Sequence, residues 1–149
     1  MSKLYLFVLL LLFTSCSKEE EKDNEYATGN EKVGIVGKWK LVSTETDNGG
    51  GDLTVSDRTS ENIIMTLDSK GIINSSRMGC AGRYSFVARE NLTHKVYSII
   101  ITQLCEVNGK PSVEYIREHP AGFRDNNTLF ISNDWCFKGC SDIYRRLKD

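Results

Sequence analysis

A chain of 149 residues with 19 Lys and Arg against 20 Asp and Glu has no basic excess, which excludes a nucleic-acid binder built on a positive stripe. The imbalance that exists is local: residues 16–32 hold six acids and three bases, whereas 33–149 hold fourteen and fifteen. The latter stretch is long enough for one hydrophobic core and too short for two.

Residues 4–13, LYLFVLLLLF, are ten apolar positions behind a single basic Lys3. A membrane-spanning helix needs roughly 20 such residues, so this run reads as the apolar part of a secretory signal, with small Ser15 before the cleavage point. Phe13-Thr14-Ser15-Cys16 resembles the lipobox of bacterial lipoproteins, although that family more often has Leu where Phe13 stands. The resemblance implies cleavage before Cys16 and palmitate-type acylation of that residue. Two or more acyl chains hold a protein stably on a membrane. The acidic run Ser17 to Asp23 resembles the export signal of Bacteroidetes-type surface lipoproteins, which implies an outer-membrane, surface-exposed address. The same charge-rich, apolar-poor composition makes a solvated tether. The expected organisation is a signal peptide at 1–15, a lipidated cysteine and acidic tether at 16–33, and a β domain at 34–149.

Beyond the tether, candidate strands follow in order: 38–44, 61–67, 71–76, 82–88, 94–102, 113–119, 127–132 and 142–148. β-Branched residues are many in them, and Gly and Asn punctuate the chain densely. DSKG at 68–71 is a tight turn, NGGGD at 48–52 opens a loop running to about residue 60, and RDNN at 124–127 closes another hairpin. Eight short strands with hairpin-length links predict an all-β, up-and-down antiparallel barrel, with a Greek-key sandwich as the rival. Period-2 alternation predicts one buried face from Trp39, Leu41 and Ser43, from Ile63, Met65 and Leu67, and from Tyr84, Phe86 and Ala88.

Gly37-Lys38-Trp39, opening the first strand, resembles the GxW signature of lipocalins, and in particular the small lipocalin-like domain of Bacteroidetes lipoproteins. That resemblance implies a barrel end plugged by Trp39 and covered by an arginine from the last strand, Arg145 or Arg146. It also implies a small apolar or amphipathic ligand in the barrel, with Ile63, Met65, Tyr84 and Phe86 as lining. The domain is shorter than typical lipocalins and lacks the helix that follows their barrel, so the expected cavity is small.

Four cysteines remain beyond the anchor. Paired residues of an antiparallel hairpin share a midpoint, and those of Cys80 with Cys105 and Cys136 with Cys140 fall at 92.5 and 138, within predicted turns. Two disulfides with these pairings are expected, and pairings that link separate hairpins stay open. CxxxC does not match zinc-site spacing, and no metal or cofactor is implied. His94 and His119 are read as solvated residues near strand ends. With no GxSxG, HExxH or phosphate-binding loop in the chain, no enzyme is expected. The alternative to a ligand-binding barrel is an interaction module for an outer-membrane protein partner, presenting Trp135 and Lys138 on a disulfide-pinned loop.

Overall fold

The computed structural model describes residues 25–29, 32–90, 95–107, 110–133 and 139–149. Nine strands form one sheet: β1 (Gly37–Asp47), β2 (Leu53–Asp57), β3 (Ile64–Leu67), β4 (Ile72–Ser75), β5 (Gly82–Glu90), β6 (Lys95–Val107), β7 (Lys110–Asp125), β8 (Thr128–Asn133) and β9 (Cys140–Arg146). From β3 onward each strand pairs antiparallel with its successor, and β9 returns to pair with β1 along Trp39–Thr46. The sheet is therefore a closed up-and-down barrel, an arrangement that removes exposed sheet edges.

Nine strands make eight staves because β2 and β3 share one edge of β1. β2 pairs with Ser43–Asp47 and β3 with Gly37–Lys40. Between them lies a short 3-10 turn, Thr59–Glu61, followed by Asn62 in the left-handed region at φ 50°, which a short polar side chain tolerates. The ladder bridges this break: Arg58 N–H donates to Val42 O and Leu41 N–H to Ile63 O, both at 2.9 Å. The expectation of a loop reaching residue 60 is corrected here. Leu53, Thr54 and Val55 are β-formers, and the glycines at 49–51 supply the turn that folds them back onto β1.

Alternation holds for Trp39, Leu41, Ile63, Met65 and Leu67, all buried. It fails at Ser43, because a bulge between Leu41 and Ser43 shifts the register against β9 and turns Thr44 inward instead. A bulge inserts one residue and so reverses which face the following side chains occupy. Ala88 is exposed, while Tyr84 and Phe86 pack against the core from its margin. Strand β7 continues through Pro120, opposite Ser98, where a strand end was expected. Proline's fixed φ suits extended backbone, and only the donor is lost.

The folded unit also reaches back into the expected tether. Ala27 N–H donates to Arg146 O and Lys148 N–H to Glu25 O, each at 2.9 Å, and Tyr26 is buried beside Leu147. Cys16 and the residues before Glu25 lie outside the described residues, as do Trp135, Cys136 and Lys138.

The expected disulfide pairings are not shown among the described residues. Cys80 and Cys140 are each oxidised, but Cys136 lies outside the described residues and the side chain of Cys105 is not described. On β9, Cys140 stands opposite Asn133 of β8. The pairs Cys80–Cys105 and Cys136–Cys140 are not retained, and no function is rested on a pinned loop between β8 and β9.

Candidate functional site

The barrel has a plugged end and a hollow end. At the plugged end Trp39 and Arg146, 0% and 1% exposed, are the largest fully buried side chains among the described residues. The Arg146 guanidinium carbon sits 4.1 Å from the centre of the Trp39 ring, within range of cation–π attraction. Arg145, the other sequence candidate, lies over Tyr26 instead, at 4.2 Å. Neighbouring strand residues face opposite ways, so only one of the two can point inward.

Carbonyl groups take up the Arg146 donors. Nη1 donates to Val36 O at 2.6 Å, Nη2 to Gly34 O at 2.5 Å and to Asn126 O at 3.1 Å, and Nε to Asn126 O at 3.2 Å. Trp39 Nε1 donates to Ile35 O at 2.8 Å. The segment Gly34–Val36 is thereby strapped across the barrel end by the two side chains. Burial pulls the guanidinium down from its usual value, yet arginine stays charged in proteins. Gly37 makes room for it: its φ is +148°, and a Cβ there would stand 2.7 Å from Arg146 Nη1.

The hollow end holds a cavity of about 240 Å³. Its apolar wall is Met65, Ile73, Met78, Ile101 and Ile131, and its polar rim comprises Ser75, Arg77, Gln103, Arg117, His119, Asn133, Asp142 and Tyr144. Asp142 is 3% exposed; Thr44 Oγ1 donates to it at 2.8 Å and Arg77 Nη1 at 2.9 Å. A buried carboxylate requires such partners. Glu61 ties the same Arg77 to Arg58, linking the break between β2 and β3 to the residues after β4. Burial, with Asp142 adding to it, raises the Tyr144 hydroxyl well above its ordinary value.

His119 is half-buried and lines this cavity, which corrects its reading as a solvated residue. Its Nδ1 lies 3.1 Å from Ser132 O. A carbonyl only accepts, so in the neutral ring the proton sits on Nδ1 and Nε2 is an acceptor. Asn133 Nδ2 is buried and has no hydrogen-bond partner among the described residues.

Of the four residues expected to line a ligand site, only Met65 borders this cavity. Ile63 is buried in the core, Tyr84 donates its hydroxyl to Asp68 O at 2.7 Å, and Phe86 stacks on Tyr97 with centroids 5.4 Å apart. Phe86 belongs instead to an open apolar cleft of about 850 Å³ beside Val33 and Gly34. The rim residues escaped the sequence reading, but a signal existed. Asp142 is in phase with Tyr144 and Arg146, and Asn133 with Leu129 and Ile131, so both sets share an inward face. No group of three or more His, Cys, Asp or Glu side chains able to hold a metal occurs among the described residues.

Comparison with known protein families, with curated proteins and with solved structures gave no match. The chain is thus defined by its architecture, a small lipocalin-like antiparallel barrel of eight staves, plugged at one end and hollow at the other.

Proposed function

We propose that this chain is a binding protein, not an enzyme, which holds a small apolar or amphipathic molecule in the hollow end of its barrel. The carrying observation is the cavity itself, walled by Met65, Ile73, Ile101 and Ile131 and set within a barrel whose opposite end is sealed by Trp39 and Arg146. Apolar concavities with a few convergent polar groups are the usual form of small-molecule sites, and barrel mouths commonly hold them. At about 240 Å³ this one falls below the roughly 300–1,000 Å³ of drug-sized sites, so its ligand is small. The chain acts outside the cytoplasm, anchored by lipid on Cys16 to the outer membrane and facing outward. The apolar run before Cys16 and the acidic run after it support that address.

Native mass spectrometry of the full chain, as purified and after incubation with small hydrophobic compounds, tests the binding role. A bound small mass that is lost in Ile131→Trp, where the indole fills the cavity, is the expected result. Bound mass unchanged in that variant places the ligand elsewhere. For the anchor, incorporation of labelled fatty acid should vanish in Cys16→Ser; persistent labelling contradicts it.

A further inference from the structure

The cavity is chemically two-sided. Met65, Ile73, Ile101 and Ile131 present only carbon and sulfur, while on the rim the amide nitrogen of Asn133 is buried and donates to nothing among the described residues. Native interiors avoid such orphan donors, because a buried N–H without an acceptor loses its hydrogen bonds to water and regains nothing. The Asp142 carboxylate on the same rim accepts from Thr44 and Arg77 and makes no hydrogen bond with Asn133 Nδ2. Each of these groups is built into a strand or held by an ion pair, so the unfilled valence points to something the protein binds.

We infer that the ligand is an amphiphile with a carbonyl-type oxygen at its head, an amide or a carboxylate, which accepts from Asn133 Nδ2 while the hydrocarbon part lies against Ile73 and Ile101. The inference rests on the cavity being the binding site. A cationic head is disfavoured, since an ammonium offers the Asn133 donor no acceptor.

Isothermal titration of the full chain with ethylbenzene, octylamine, octanamide and octanoate tests this. At least one oxygen-headed probe should bind roughly tenfold tighter than octylamine, the worth of one added hydrogen bond. Octanoate leading assigns an anionic head, and octanamide leading a neutral one; either supports the inference. Asn133→Leu should remove that advantage while ethylbenzene binds as before. Asn133→Asp, equal in size but an acceptor, should turn the preference toward octylamine. If ethylbenzene binds but head chemistry makes no difference, or octylamine leads, the cavity reading stands and this inference falls. If none of the four binds, both fall.

Discussion

Arg146 lies over Trp39, 4.1 Å from ring centre to guanidinium carbon, with both side chains withdrawn from solvent. The pair does two jobs at once. The ring supplies apolar area and a negative π face, and the guanidinium spreads its fixed fork of donors over the carbonyls of Gly34, Val36 and Asn126. A lysine at 146 could keep the charge but not the planar fork.

Trp39→Ala should therefore cost about 3–5 kcal/mol, as for other buried aromatic truncations. Arg146→Lys should lose roughly half as much, because planar bonds to separate carbonyls are given up. Arg145→Ala, which removes the contact over Tyr26 and leaves the Arg146 bonds in place, should cost less than either. Urea denaturation of the three variants measures the order, and an Arg145 effect equal to that of Arg146 would contradict the assignment.

Gly37→Ala faces both a positive φ and a Cβ 2.7 Å from Arg146 Nη1. A loss of about 2 kcal/mol or more is expected. Gly50→Ala, where φ is ordinary and a Cβ meets open space, should be neutral or slightly stabilising. Thermal melts of the two variants side by side separate the backbone requirement from a general intolerance of substitution.

Arg77 and Asp142 are asymmetric partners: the Arg77 side chain is 37% exposed and that of Asp142 4%. Losing the arginine strands a buried carboxylate, whereas losing the acid lets the arginine turn to water. Arg77→Met should cost about 3 kcal/mol, and Asp142→Asn clearly less. Equal losses would show that the pair does not carry this asymmetry.

Alkaline pH should weaken the fold through its buried phenols. Burial, with Glu25 adding to it, pushes the Tyr26 hydroxyl up to about 12, and Tyr84 and Tyr144 shift the same way. Below about pH 10 these groups are protonated in both states, and their contribution is constant. Above it the unfolded chain ionises first, so stability falls as pH rises toward the folded values. Urea midpoints followed from about pH 8 to 11.5 should decline above 10, less steeply in Tyr26→Phe. A flat profile contradicts the burial of these hydroxyls.

Much of the barrel was legible because hairpin links and period-2 alternation are local signals. The turn at Asp68–Gly71 shows this directly: the Asp68 carboxylate accepts from Lys70 N–H and Ile72 N–H, as its sequence suggests. What escaped depended on partners distant in sequence. β2 exists because it finds the edge of β1 left open above β3, and no local pattern reports that vacancy. Thr44 replaces Ser43 inside because of a bulge set by pairing with β9. Tyr26 sits in an acidic, polar stretch, yet Leu147 and Arg145 give it a place to pack. The rim of the cavity was missed for a related reason: Arg77, His119, Asn133 and Asp142 are scattered in sequence, and only closure of the barrel gathers them.

The most direct measurement is methyl NMR of the full chain titrated with ethylbenzene. Saturable shifts at Met65, Ile73, Ile101 and Ile131, abolished in Ile131→Trp, are the predicted result. Shifts confined to the exposed Leu53, Val55 and Ile116, or none at all, would contradict a ligand site inside the barrel.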